Sequence, residues 1–283
     1  MTPIQNQTPI EKLNHCYESV LANLNGFTPK IALILGSGLG ALADEIAIVA
    51  TVNYNEIYGF PQSTVLGHKG RFVFGYIGEA PVVIMQGRVH FYEGYSMSDT
   101  VLPVRLMKKL GAQVLFLTNA AGGISYGAGE FMLITDQIST FVPSPLIGPN
   151  MDEFGTRFPD MSAIYDKQLN SLIHLAADEV GIDLKEGIYA QASGPNFESP
   201  AEVQMFKILG ADAVGMSTAC EAIAANHAGM RICGISCIAN LACGLSNTPL
   251  THKEVMEAAD ASAPMFKKLI KESIVNINGH LLI

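Results

Sequence analysis

"APVVIM" at 80–85 runs without a break into "QGRVHFYEGY" at 86–95. The first six residues read as a buried strand, being short, apolar and rich in valine and isoleucine. Polar residues begin where that character stops. Arg88, His90 and Tyr92 recur at a spacing of two, so a chain that stays extended projects all three from one face. A guanidinium, an imidazole and a phenol at one strand end predict a pocket for an anion. Guanidinium pairs with phosphate through two parallel N–H groups, and imidazole adds a directed polar contact. The plainer alternative for Arg88 is a surface ion pair, for instance with Glu93.

The same arrangement recurs along the chain. Apolar runs of strand character stand at 31–35, 71–77, 82–85, 114–117, 187–192, 212–216 and 231–239. Between them lie helix-start signatures: "TPIE" at 8–11, "SPAE" at 199–202, "TACE" at 218–221 and "THKE" at 251–254. Each places Ser or Thr at the N-cap and Glu three residues on, so side chains satisfy amides that the first helical turn leaves unpaired. "DKQLNSLIHLAADEV" predicts a further helix ending at Gly181, and Ser98 is expected to start one that stops at Gly111. Strands alternating with helices imply an α/β fold: one domain over 1–283, with a central mixed, partly parallel sheet flanked by helices.

In open α/β sheets, ligands bind beyond the carboxyl ends of strands. Six strand ends here carry chemistry: Ser37; Arg88, His90 and Tyr92; Asn119 with an expected "AAGG" turn at 120–123; Phe197 and Glu198; Met216 and Ser217; and Asn240. One shared pocket is the economical expectation.

Bulk properties narrow the classes. The chain has 283 residues, 49% hydrophobic and 15% charged, with a net charge of −9. That balance suits a large-cored globular protein and argues against a nucleic-acid backbone as partner. No apolar run approaches the roughly 18 residues of a membrane span. The N-terminal stretch lacks the basic start and apolar core of a signal peptide, so a cytoplasmic location is expected. The 5 cysteines lack zinc-site spacing and read as buried small apolar residues.

Each motif has a competing reading. "LGSGLGA" at 35–41 offers exposed amides and the Ser37 hydroxyl to phosphate. It also fits a dinucleotide fingerprint through Gly36, Gly38 and Ala41, with Glu56 about 20 residues on, or it is a plain tight turn. Ser217 adds a hydroxyl at a helix start or merely belongs to the cap. His68 is either a ligand or an ordinary loop histidine. Glu198 is not needed by its capping box, because Glu202 fills that place; it either reads a heterocycle beside Phe197 or is a solvated carboxylate. His252 opens its helix, where the positive end of the dipole favours a neutral imidazole.

Together, "LGSGLG", "GHKG", "QGRVHFYEGY", "TNAAGG", "RFPDMS", "GPNFES", "GADAVGMS" and "THKEV" closely resemble the trimeric, low-molecular-mass class of purine nucleoside phosphorylases, over about residues 28–270. The resemblance implies phosphorolysis of purine nucleosides, chiefly 6-oxopurines, to free base and pentose 1-phosphate. It implies no metal and no bound cofactor, orthophosphate being a co-substrate. Phosphate would lie among Ser37, His68, Arg88, His90, Ala120 and Ser217. Tyr92 and Met216 would face the ribose, His252 its 5′-hydroxyl, and Phe197 the base. Glu198 would take the purine N1–H, and Asn240 would hold N7 and the 6-oxo group. Asn240, Glu198, His252 and His90 would carry catalysis. Phe158 would be lent to a neighbouring subunit of a homotrimer. Ala219-Cys220, at the helix start beside Ser217, and Asn226 depart from the family's usual residues. Two rival activities are a methylthioadenosine phosphorylase, disfavoured by Glu198, Asn240 and His252, and a nucleotide-binding oxidoreductase resting on the glycine-rich turn.

Overall fold

The computed structural model describes residues 7–65, 67–246 and 251–282, the side chains of residues 252–254 excepted. In chain order the elements are α1 (Pro9–Leu21), β1 (Ile31–Ile34), β2 (Ala47–Asn53), β3 (Arg71–Ile77), β4 (Ala80–Gln86), α2 (Met97–Thr100), α3 (Leu102–Lys109), β5 (Val114–Gly123), β6 (Phe131–Ile138), α4 (Lys167–Val180), β7 (Lys185–Gln191), α5 (Pro200–Ile208), β8 (Ala213–Gly215), α6 (Ala219–His227), β9 (Arg231–Leu241) and α7 (His252–Leu281).

The strands form one mixed sheet in the order β2-β3-β4-β1-β5-β8-β7-β6-β9, and β9 returns to pair with β5. Five strands thus close into a ring, while β2, β3 and β4 extend from it as an antiparallel wing. At the centre β1 runs parallel to both β4 and β5. Strand alternation sorts the apolar runs into two cores. Ala32, Ile34, Val83, Met85, Leu115 and Leu117 face one, covered by Leu13 and Cys16 of α1, Leu106 of α3 and Ala224 of α6. Ile31, Leu33, Val82, Ile84, Val114 and Phe116 face the other, covered by α4 and α7. In α4 the buried positions 169, 173, 176, 177 and 180 make one helical stripe. In α7, Phe266, Leu269, Ile270, Ile274 and Ile277 do the same.

Most expected elements are present, and the capping boxes at Thr8 and Ser199 form as read. The differences are informative. β2 was not expected: it is an edge strand, almost wholly exposed, and carries no apolar alternation. β6 was not expected either, because its first half is buried and its second half is not. The segment 120–123 is not a turn; β5 runs on to Gly123, paired with β9 on one side and β8 on the other. Ser96, not Ser98, caps α2 by accepting from the Asp99 amide. The helix breaks at Val101 before α3, whose Pro103 has no N–H to continue the ladder.

Among the described residues no helix is long and apolar enough to cross a membrane. Four of the five cysteines are buried and all are free.

Candidate active site

Five strand ends, the middle of β5 and the first turn of α7 meet around one cavity, lined by Ser37, Arg88, His90, Tyr92, Asn119, Ala120, Phe197, Glu198, Met216, Ser217, Asn240 and Val255. Beyond β1, the Gly36 amide donates to Thr118 Oγ1 at 2.9 Å, and the Thr118 hydroxyl donates to the Ile34 carbonyl. A Cβ on Gly36 would lie 2.6 Å from Asn119 Cα, so only glycine lets this loop cross β5. Ser37 is thereby fixed at the cavity wall. The next element is a short 3-10 helix, Gly40–Asp44, and then β2, which pairs antiparallel with β3. No βαβ unit follows, and Glu56 caps its own turn through the Asn53 amide. The dinucleotide reading of "LGSGLGA" therefore fails.

Beyond β4, Arg88 is buried and its Nε donates to Glu221 Oε1 at 3.0 Å. The partner is Glu221, not Glu93 as the surface-pair alternative had it. Arg88 Nη2 is buried with no partner in the protein. Glu93 instead holds His90, accepting from its amide at 2.7 Å and lying 3.1 Å from Nδ1. Burial alone would raise the Glu93 pKa, but hydrogen bonds from His90 and Thr64 bring it down to about 2. Burial also lowers the His90 pKa, against the pull of Glu93. Tyr92 does not continue the strand; it sits in the 3-10 helix Phe91–Glu93. Its ring stacks on His90 with centroids 4.7 Å apart, which keeps it on the cavity.

His68 lines an adjoining small cavity that shares Ser37. Its Nδ1 lies 2.8 Å from Ser63 Oγ, and burial followed by the nearby His90 depresses its pKa to about 4. Glu198, also on the main cavity, is 8% exposed and its Oε1 has no partner. That excludes the solvated-carboxylate reading, and burial raises its pKa. Asn240, at the end of β9, spends one N–H on the Leu241 carbonyl at 2.7 Å, leaving a second N–H and Oδ1. Phe158 is 89% exposed and lies outside this cavity, on a surface groove with Ile147 and Arg157. His252 begins α7, and its side chain lies outside the described residues.

Sequence reasoning missed Glu221, which it took only as a capping residue, and Val255. The "TACE" signature marks the first; the second carries no local signal.

A cation and a carboxylate, each with a buried atom left without a partner, on one cavity, with no α-helix directly after the glycine-rich turn, describe a cleft for an anion plus a polar heterocycle. Residues 30–275 match the model of the phosphorylase superfamily. The chain is 52% identical to purine nucleoside phosphorylase 1 of Bacillus subtilis, covering 86% of this chain and 91% of that protein. It is 48% identical to purine nucleoside phosphorylase 1 of Geobacillus stearothermophilus, covering 88% and 92%. The structure of purine nucleoside phosphorylase from Schistosoma mansoni in complex with inosine superposes with a TM-score of 0.89 at 36% identity, over 95% of this chain and 97% of that one. The chain belongs to the phosphorylase superfamily.

Proposed function

We infer that this chain is a purine nucleoside phosphorylase, transferring the pentosyl group of a purine nucleoside to orthophosphate. One observation carries the assignment of its ends: Arg88 Nη2, a donor, and Glu198 Oε1, an acceptor, line the same cavity, and both are buried without a partner. Buried polar groups are normally paired, so a ligand that supplies an anion to one and an N–H to the other completes the site.

Phosphate lies among Ser37, Arg88, His90, Ala120 and Ser217, with His68 reaching it from the adjoining cavity. The nucleoside lies along Tyr92, Met216 and Phe197, with His252 at its 5′ end. Phosphate is already a nucleophile, so the protein mainly orients it toward C1′ of the sugar. The C1′–N9 electron pair departs with the purine while a phosphate oxygen bonds C1′. An Asn240 N–H at N7 stabilises the negative charge developing on the base. Glu198 accepts the N1–H of a 6-oxopurine. No metal or bound cofactor takes part in this scheme. Among the described residues no cluster of three His, Cys, Asp or Glu side chains is arranged to hold a metal ion. The assembly is a homotrimer working in the cytoplasm, and Phe158 completes the site of a neighbouring subunit.

The test is turnover of inosine, guanosine, xanthosine, adenosine and methylthioadenosine, with and without phosphate and after chelator treatment. Phosphate-dependent release of hypoxanthine that survives chelation supports the reading. Release that runs equally fast without phosphate overturns it.

A further inference from the structure

Ser217, Thr218 and Ala219 form a γ-turn of positive φ. Thr218 lies at φ 80 and ψ −59, and the Ala219 amide donates to the Ser217 carbonyl at 2.9 Å. That turn is rare and strained, and more so for a β-branched residue. Such strain persists only where the surroundings over-determine it, and it concentrates at functional sites. Here the surroundings are explicit. The Thr218 amide donates to Glu221 Oε2 at 3.1 Å, and Asn119 Nδ2 donates to Thr218 Oγ1 at 3.0 Å. Tyr189 Oη lies 3.4 Å from the Ser217 amide, which donates to it.

The two hydroxyls form one buried pair. Thr218 is fully buried, so its own O–H needs an acceptor. Ser217 Oγ stands 3.1 Å away, and either hydroxyl can donate to the other. Thr218 Oγ1 thus accepts from Asn119 and holds Ser217 Oγ by hydrogen bond at the cavity that Ser217 lines. The other Glu221 oxygen holds Arg88 Nε at 3.0 Å, while Arg88 Nη2 has no partner.

We propose that Glu221 and Thr218 are positioning residues for the anion site: one buried carboxylate holds the Arg88 guanidinium and the strained turn together, so that Arg88 Nη2 and the Ser217 hydroxyl are presented to phosphate as a single preorganised donor pair. The proposal rests on reading the cavity as a phosphate site. Neither residue touches the anion. Preorganised donors cost no reorganisation when charge arrives, and the loss of either support is felt at phosphate before it is felt at the nucleoside.

The experiment compares Thr218→Val, which keeps the branched shape and loses the hydroxyl, with Thr218→Ser, which keeps the hydroxyl, and with Glu221→Gln. Phosphate binding is measured by calorimetry, the KM values for phosphate and inosine by turnover, and folding by Tm. Thr218→Val and Glu221→Gln are expected to weaken phosphate binding about tenfold, with the inosine KM changed by less than about threefold and Thr218→Ser close to the unmodified protein. In combination with Ser217→Ala, the loss from Glu221→Gln is expected to be smaller than the product of the two single losses, because the residues act as one unit. Equal phosphate affinity in Thr218→Val and Thr218→Ser overturns the proposal, as does a loss confined to the inosine KM. If Glu221→Gln does not fold, the Thr218 pair decides alone. If the unmodified protein binds phosphate but releases no base, the functional reading fails while the calorimetric comparison still judges the positioning roles.

Discussion

The rings of His68 and His90 stack with centroids 5.6 Å apart and planes inclined by 22°. Charging one imidazole raises the cost of charging the other, and burial opposes both. The depressed His68 pKa of about 4 reflects burial first and His90 second. We expect His68 to titrate near that value in the unliganded protein, followed by NMR of the ring protons, and to move upward when phosphate is added. A His whose folded pKa lies below its unfolded value of about 6.5 contributes stability present above pH 6.5 and lost as the pH falls through the folded value. The unliganded Tm should therefore fall between about pH 6.5 and 4 more steeply than that of a His68→Gln variant. A ring that titrates at its ordinary value would sink this.

Glu198 has the opposite linkage. Burial raises its pKa, so its favourable contribution exists only below the unfolded value of about 4.3 and is lost as the pH rises through the folded one. At pH 7 its burial is therefore a cost to stability. Glu198→Gln should raise the Tm at pH 7, with the difference vanishing near about pH 4. Under the proposed base contact, in which the carboxylate accepts N1–H, the same variant should lower inosine kcat/KM about tenfold or more.

Base selectivity follows from the same carboxylate. Adenosine presents a lone pair at N1, so Glu198 would face another acceptor there. We expect at least about 10²-fold preference for inosine over adenosine in kcat/KM. Equal efficiencies would show that Glu198 does not read the base.

Arg88→Ala should do more than weaken phosphate. It leaves Glu221, 2% exposed at its side chain, without its cation. Removing one partner of a buried pair costs about 3–5 kcal/mol. Urea unfolding should show that loss, and Arg88→Ala combined with Glu221→Gln should recover part of it. Equal midpoints for the single and double variants would mean that the pair is not energetically coupled.

Phe158→Ala tests the assembly. On its own protomer the ring is exposed, so protomer stability should change by no more than about 0.5 kcal/mol. On the proposed homotrimer, where the ring would complete a neighbour's site, the KM for nucleoside should rise nonetheless. Sedimentation of a fully active monomer would refute this.

Some of this protein is written locally. The alternation of β1, β4 and β5 sorts Ile31 from Ala32 and Val82 from Val83 onto opposite cores, because side chains of a strand alternate whatever it packs against. Thr8 and Ser199 cap their helices because Glu stands three residues on. Strand ends rich in polar groups predicted a shared pocket, and Ser37, Arg88, His90, Glu198 and Asn240 do converge on one. Tertiary structure alone decided the rest. β2 exists through its pairing with β3, not through any apolar pattern of its own. β5 continues through "AAGG" because β8 and β9 supply hydrogen-bond partners that glycine and alanine do not advertise. Glu221 meets Arg88 across 133 positions of sequence, and its capping signature is the same whether its side chain faces solvent or a buried guanidinium. Caps and alternation are set by backbone geometry within a few residues, whereas a buried charge pair and a strained γ-turn exist only because the packed interior excludes water and leaves them no other partners.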